Sequence, residues 1–127
     1  MAATSDYSIL AVDDTDIILE LIKAQLESEG YRVTTAMDGN TAKNLVQLAK
    51  YDLILLDIEM PDISGVDLLQ FIKEKGDNID TPVVMLTAQN DPDQVKTCLV
   101  NGAKDYILKP FNMVSVKQRI WKILQNG

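Results

Sequence analysis

The stretch LILLD at residues 53–57 decides the fold, because four consecutive apolar residues end abruptly at a carboxylate. A strand that is apolar at every position is buried on both faces, as in a parallel sheet that helices cover on both sides. Residues 9–12 and 82–86 have the same apolar character, and they are followed by Asp13 and Thr87. We therefore predict three buried strands, each of which ends at a polar residue.

Amphipathic segments with helical spacing separate these strands and two further ones. The first helix has an apolar stripe with helical spacing, formed by Ile17, Ile18, Leu21, Ile22 and Leu26, and Leu45 and Leu48 are predicted to point inward from the second. The alternation of strands and helices predicts an α/β fold with a parallel sheet, helices on both faces and right-handed crossovers. The polar connector 76–81 is predicted to be a surface loop. The predicted strands are 9–12, 31–35, 53–56, 82–86 and 106–108, and the predicted helices are 16–29, 40–49, 65–75, 93–101 and 114–124.

Composition limits the class of protein. The 127 residues suit one compact domain, and a formal net charge of −7 argues against direct binding of nucleic acid, whose phosphates require Lys and Arg. The absence of histidine rules out a histidine base, a histidine metal ligand and a phosphohistidine in this chain. The single cysteine, Cys98, is predicted to pack in the interior. There is no basic leader, and the apolar run 9–12 is too short to span a membrane, so we expect a cytoplasmic protein.

The ends of the predicted strands carry the residues with chemistry. In open α/β sheets the functional crevice lies outside the carboxyl ends of the strands. Three carboxylates that meet there repel one another, and a hard divalent cation such as Mg²⁺ relieves that repulsion. A carboxylate nucleophile, a metal and a lysine are the parts needed to form an aspartyl phosphate. The residues concerned are Asp13, Asp14, Asp57, Thr87 and Lys109.

Six short motifs lie at or beside these strand ends. They are VDD at 12–14, LDIEMP at 56–61, Gly65, LTA at 86–88, GA at 102–103 and YILKPF at 106–111. Together they resemble the response-regulator receiver domain of two-component signalling, of the chemotaxis-regulator type, over nearly the whole chain. The resemblance implies a flavodoxin-like, doubly wound, five-stranded parallel sheet in the order 2-1-3-4-5 with helices on both faces. It also implies that 1–127 is a single receiver domain, with no output domain in the chain.

The resemblance further implies how the acidic residues divide their roles. Asp57 would be the phospho-acceptor. Mg²⁺, or Mn²⁺ in its place, would bind Asp57 and Asp14 directly. Asp13 would reach the metal through water, and Glu59 would reach it through its backbone carbonyl. The side chains of Glu59 and Gln89 would tune how long the phosphoryl group survives.

Three residues outside the acidic cluster would read out the phosphoryl group, again by resemblance. Lys109 would pair with it, Thr87 would move towards it, and Tyr106 would turn inward in response. The Lys109–Pro110 peptide bond would be cis.

The same resemblance implies the partners. The expected phosphoryl donor is a histidine kinase or a histidine phosphotransfer protein. The expected readout is a downstream protein or output domain that binds the surface of the fourth helix, the fifth strand and the fifth helix. A homodimer is a further partnership that the resemblance allows. The domain would catalyse its own phosphorylation and dephosphorylation without turning over an outside substrate, and it would contact neither nucleic acid nor membrane.

Other functions stay open from the residues alone. A flavodoxin-type FMN carrier would share the fold, although the acidic loop 13–16 repels phosphate unless a metal intervenes. A phosphatase that works through an aspartyl phosphate would need a second Asp where Glu59 stands, two residues after Asp57. A degenerate receiver that serves only as a binding module would lack the intact acidic and basic set. The chain is either a stand-alone receiver or part of a longer protein.

Overall fold

The computed structural model describes residues 4–88 and 92–126, which form a five-stranded sheet with helices on both faces. Every predicted strand and helix is present, and no end differs from the predicted one by more than two residues. A short 3₁₀ helix at Thr4–Asp6, which was not predicted, precedes the first strand. Gln89, one of the two predicted lifetime-tuning residues, lies outside the described residues. The strands are β1 (Ser8–Val12), β2 (Arg32–Ala36), β3 (Leu53–Asp57), β4 (Val83–Thr87) and β5 (Asp105–Leu108), and the helices are α1 (Asp16–Ser28), α2 (Gly39–Leu48), α3 (Gly65–Glu74), α4 (Pro92–Val100) and α5 (Met113–Asn126).

The strands are all parallel and lie in the order β2-β1-β3-β4-β5, as the resemblance implied. The chain runs from β1 outward to β2 and then returns past β1 to β3, so the switch point of the sheet lies between β1 and β3. Val12 pairs with Leu56 across that switch point, and the residues that follow them, Asp13 and Asp57, therefore emerge side by side. On the far side of β3, Leu86 of β4 pairs with Asp57. The register thus fixes which strand ends meet.

Two apolar layers cover the sheet, one on each face. All residues of β3 and β4 are buried, and alternate residues of these strands enter opposite layers, which confirms the prediction made from the run 53–57. Each fully buried Leu or Ile side chain stabilises the fold by about 1.5–3 kcal/mol. Cys98 is buried in the layer that α2 and α3 also form, as predicted. Within residues 4–88 and 92–126, none of the helices is both long enough and apolar enough to cross a bilayer.

Three apolar residues of the predicted helical stripes are exposed instead of buried. Leu48, which was predicted to point inward, is 82% exposed, and Ile17 and Leu21 are 73% and 43% exposed. Ile22 and Leu26 of the predicted stripe are buried, and Leu19, which was not part of it, is buried with them at 4% exposure. The predicted residues cover a wider arc of α1 than the face that contacts the sheet, so periodicity alone could not tell which of them are buried. Leu45 of α2 packs against the core, as predicted.

The connector 76–81 is exposed at Gly76, Asp77, Ile79 and Asp80, as predicted for a surface loop, but Asn78 anchors it in the core. This side chain is fully buried. Its amide nitrogen donates to the carbonyl oxygens of Val46 and Ala49, each at 2.8 Å, and its Oδ1 accepts the backbone N–H of Tyr51 at 2.8 Å. The prediction was wrong at this position because a polar side chain can be buried once all its hydrogen bonds are made internally.

Candidate functional site

Three carboxylates meet at the carboxyl end of the sheet. Asp13 follows β1 and Asp57 ends β3, while Asp14 stands beside Asp13 at the start of the loop that leads to α1. Each of the three offers one oxygen, and these oxygens lie within 4.8 Å of one another. Asp13 and Asp57 are buried, with 0% and 4% of their surface exposed, whereas Asp14 is exposed. The cluster therefore has a buried floor and one side that is open to solvent.

Lys109 is the cation of this site. Its Nζ lies 2.6 Å from Asp13 Oδ2 and 3.4 Å from Asp57 Oδ2, and only 15% of its side chain is exposed. Its backbone N–H donates to the carbonyl oxygen of Thr87 at 2.7 Å, which holds it at the end of β5 beside the end of β4. The Lys109–Pro110 bond is cis, as expected. Burial by itself would lower the pKa of Lys109, but its hydrogen bond to Asp13 and the charge of Asp57 raise that pKa overall, so the ammonium stays charged.

The fold raises the pKa of the Asp57 carboxyl group. Burial first, and then the neighbouring charge of Asp13, raise the pKa of Asp57 from 3.8 to about 6, although Lys109 and the backbone N–H of Glu59 act in the opposite direction. That N–H lies 3.2 Å from Asp57 Oδ1. Asp13 is held in turn by the N–H of Thr15, which donates to its Oδ1 at 2.9 Å. One lysine therefore leaves the negative charge of three carboxylates only partly compensated.

The donor set fits a hard divalent cation. Its atoms are carboxylate oxygens gathered in a small volume, which is the ligand type that Mg²⁺ and Mn²⁺ prefer. After burial, the negative charge of Asp13 is the second cause of the raised pKa of Asp57, and a bound cation would neutralise that charge. The open side at Asp14 leaves room for water and for the oxygens of a ligand. The residues present therefore suit a magnesium ion better than a closed, structural metal centre.

The loop that follows Asp57 requires a glycine at its far end. A Cβ on Gly65 would lie 2.3 Å from the carbonyl oxygen of Asp57 and 2.6 Å from Cα of Ile58, so any other residue would push the two segments apart. The N–H of Gly65 donates to the carbonyl oxygen of Ile58 at 2.7 Å, which closes the loop. The sequence singled out Gly65 by resemblance alone, and this contact is its physical reason.

Thr87 and Tyr106, the two predicted switch residues, lie on the same face of the sheet. Tyr106 pairs with Met85, and Thr87 is two residues further along β4, so side-chain alternation places both on the face that α3 and α4 cover. Thr87 is 1% exposed at the end of β4, and Tyr106 is half-buried against the core. Thr87 therefore stands at the carboxyl end of the sheet, one residue beyond the pair of Asp57 and Leu86, and Tyr106 lies two residues before the end of β5.

One residue of the site region had no signal in the sequence. Asp62 stands in the loop between β3 and α3, where an acidic residue after Pro61 is typical of a turn. In the structure its carboxylate accepts the backbone N–H groups of Gly39 and Asn40, at 2.8 Å and 2.9 Å. These partners are 23 and 22 residues away in the chain, so no local pattern could reveal them.

Comparison with known proteins places this chain near response regulators. A family model described as "Response regulator receiver domain" matches residues 9–121. The probable transcriptional regulatory protein TcrX of Mycobacterium tuberculosis is 34% identical over 118 residues, which cover 93% of this chain but only half of that protein. The two-component response regulator ORR3 of rice (Oryza sativa) is 37% identical over 103 residues, which cover 80% of this chain and 79% of that protein.

Solved structures with the same fold include two receivers. The chemotaxis protein CheY4 of Vibrio cholerae superposes with a TM-score of 0.87 at 30% identity, covering 92% of this chain and 98% of that one. The receiver domain of the sensor histidine kinase PA1611 from Pseudomonas aeruginosa, which has a magnesium ion coordinated in its active-site cleft, gives 0.86 at 30% identity and covers 98% and 99%. Family model, relatives, strand order and acidic cluster all agree. The chain belongs to the response regulator receiver domain family of two-component systems.

Proposed function

We propose that this domain is a phosphorylation-controlled switch that accepts a phosphoryl group on Asp57 in a Mg²⁺-dependent reaction. The observation that carries the proposal is the burial of Asp57 among two further carboxylates, with Lys109 Nζ 3.4 Å from its Oδ2. Because these 127 residues contain no histidine, the phosphohistidine of such a relay must lie outside them. The proposed donors are a histidine kinase and a histidine phosphotransfer protein.

The chemistry is transfer from nitrogen to oxygen. A carboxylate oxygen of Asp57 attacks the phosphorus, the bond from phosphorus to the imidazole nitrogen breaks, and its electron pair returns to the imidazole, which then takes up a proton. The product is an acyl phosphate on Asp57. The attacking group must be ionised, and a pKa of about 6 leaves Asp57 mostly ionised at pH 7.5.

Mg²⁺ when bound would neutralise the carboxylates and the developing charge on the phosphoryl oxygens. We propose that Asp14 and Asp57 hold it directly, with Asp13 acting through water and Glu59 through its backbone carbonyl. Mn²⁺ can take its place. Asp13 has a second role, because its Oδ2 lies 2.6 Å from Lys109 Nζ and positions that ammonium at the pocket. Lys109 is thereby ready to pair with an incoming phosphoryl group.

The proposed output is a change in the α4–β5–α5 surface. New anionic oxygens on Asp57 would attract the hydroxyl of Thr87, and Tyr106, on the same face of the sheet, would move into the space that Thr87 leaves. These elements carry exposed apolar side chains that suit a protein partner: Leu99 is 43%, Val100 77% and Leu108 39% exposed. A downstream protein, an output domain or a second copy of the domain would bind there.

The scope of the proposal is one domain. The chain spans half the length of TcrX, so the activity and partners of any longer protein are proposals as well. We propose that residues 1–127 act as a single receiver unit in the cytoplasm, without direct contact to nucleic acid. A receiver that switches by phosphorylation also accounts for the intact acidic and basic set better than an FMN carrier or a pure binding module does.

Incubation with acetyl phosphate tests the chemistry. With Mg²⁺, intact-mass spectrometry should show one added phosphoryl group, which EDTA and Asp57→Asn should each abolish. Asp77→Asn is the matched control, because it removes an exposed carboxylate from the loop between α3 and β4. Labelling of Asp57→Asn at the wild-type level would contradict the assignment of the acceptor, whereas loss of labelling in Asp77→Asn would show that the effect is not specific to the pocket.

A further inference from the structure

The loop between β3 and α3, residues 58–64, carries Glu59 and is fixed at three points. At its base the N–H of Gly65 donates to Ile58, at 2.7 Å. Inside the pocket the N–H of Glu59 lies 3.2 Å from Asp57 Oδ1. At its tip Asp62 binds the start of α2. At the base the N–H of Ile58 also donates to the carbonyl oxygen of Leu86 in β4, at 3.0 Å. Asp62 ties the tip of the loop to α2.

The tip contact satisfies N–H groups that the helix cannot satisfy itself. The first N–H groups of an α-helix have no partner within the helix. In α2, the backbone N–H of Thr41 donates to Oδ1 of Asp38, which caps the helix, at 2.7 Å. Asp62 supplies the acceptors for the two groups before it, with Oδ1 2.8 Å from the nitrogen of Gly39 and Oδ2 2.9 Å from that of Asn40. These hydrogen bonds, of which the one from Gly39 has the largest effect, hold the pKa of Asp62 below its usual value. The Asp62 carboxyl group is therefore ionised at neutral pH.

The contact is reinforced by close packing at the same place. Gly39 is buried, and a Cβ added to it would lie 2.8 Å from Cβ of Ile63. Ile63 also packs against the core. The loop tip therefore fits against α2 only where Gly39 leaves space for it.

The helix on which the loop rests is firmly held. Ala42 and Val46 of α2 are buried in the core. The carboxyl end of the helix is bound by the buried side chain of Asn78, which donates to the carbonyl of Val46. Because α2 is held in place, the contact with α2 also holds the loop in place. Without that contact the loop could shift by a fraction of an ångström, which is enough to misplace a ligand of a metal ion.

We infer that Asp62 is a positioning residue, which clasps the β3–α3 loop to the amino terminus of α2 and so places the Glu59 carbonyl and Asp57 for Mg²⁺. This inference rests on the proposed function, because it assigns to Asp62 the alignment of the proposed metal ligands. Mg²⁺ requires nearly ideal octahedral geometry. Loss of groups that orient metal ligands from outside the ligand set typically weakens metal binding by about 10- to 100-fold. Asp62 itself touches neither metal nor substrate.

Calorimetric titration with Mg²⁺ at pH 7.5 tests the inference. Asp62→Ala should raise the Kd for Mg²⁺ about tenfold or more. Its rate of phosphorylation by acetyl phosphate should recover towards the wild-type rate at saturating Mg²⁺, because the variant loses metal affinity and keeps its reactive groups. Gly39→Ala should also weaken Mg²⁺ binding, because the new methyl group would lie 2.8 Å from Cβ of Ile63 and 3.2 Å from Oδ1 of Asp62 and would push the loop tip away from α2. This variant keeps the Asp62 carboxyl group and disturbs only its position.

Asp38→Ala is the matched control. The substitution removes one negative charge, as Asp62→Ala does, and Asp38 caps the same helix. In the part of the chain that the structure describes, Asp38 makes no contact that joins the helix to the loop. It should lower the stability of the domain and leave the Kd for Mg²⁺ within about twofold of wild type. An equal loss of affinity in Asp38→Ala, or wild-type affinity in Asp62→Ala or Gly39→Ala, would overturn the inference. Failure of the wild-type protein to bind Mg²⁺ would instead overturn the metal site of the proposed function.

Discussion

Replacing Asp57 with Asn should stabilise the metal-free domain at neutral pH, although Asp57 is the proposed acceptor. Burial and the charge of Asp13 raise its pKa from 3.8 to about 6, so the folded protein binds this proton more tightly than the unfolded chain does. The carboxyl group therefore contributes stability that is fully present below pH 4 and is lost as the pH rises through 6. Asn resembles the neutral carboxyl group and cannot ionise, so the variant does not lose this stability as the pH rises.

The size of the effect follows from the change in proton affinity. Each tenfold change corresponds to about 1.4 kcal/mol, so the rise from 3.8 to about 6 sets an upper bound of about 3 kcal/mol at pH 7.5. Solvent at the open side of the cluster screens the charges, and we expect a gain of about 2 kcal/mol. At pH 4.5 the gain should fall to about one third of that, because Asp57 is then mostly protonated in the folded state.

Urea unfolding in EDTA measures the gain. Trp121, the single tryptophan, stacks edge-on against Tyr7 with ring centroids 6.3 Å apart, and its fluorescence will report unfolding. With an m-value of about 1–3 kcal/mol/M, a gain of 2 kcal/mol moves the midpoint by about 1 M. Asp77→Asn is the control and should change little. A variant at Asp57 that is no more stable than wild type at pH 7.5, or that gains equally at pH 4.5, would refute this reasoning.

Three further outcomes follow from the same structure. Asp14→Ala should remove most of the rise in melting temperature that Mg²⁺ gives the wild-type protein, as differential scanning calorimetry would show; an unchanged rise would contradict the metal site. Thr87→Ala should still be phosphorylated, yet NMR with beryllofluoride should no longer show wild-type shifts around Tyr106; retained shifts would disprove the switch. Asn78→Ala should cost about 2–4 kcal/mol in urea unfolding, because it leaves buried backbone groups of two segments without partners, while acetyl phosphate should still label Asp57. A loss below about 1 kcal/mol would show that water replaces its side chain.

Local sequence patterns predicted much of the fold. The apolar run 53–56 is typical of a strand that is buried on both faces of a covered parallel sheet, and its abrupt end at the carboxylate of Asp57 marks the edge where function lies. The strands ending before Asp13 and Lys109 gave the same signal, and the structure brings both residues to within hydrogen-bonding distance of each other. The roles of the individual residues at this edge came from resemblance and remain proposals, because spacing along the chain does not distinguish a metal ligand from a neighbour.

The sequence by itself determined which segments are strands and helices and which side chains stand at the strand ends, because these depend on periodicity over a few residues. Only the tertiary structure decided which residues of the α1 stripe face the sheet, with Ile22 buried and Ile17 exposed, and that Asn78 is buried in a polar connector. It also decided that Asp62 binds Gly39 and that the pKa of Asp57 rises. Each of these results depends on groups that are distant in the chain and adjacent in space. Burial, charge repulsion and hydrogen bonding act through distance in space, and a linear pattern does not contain that distance.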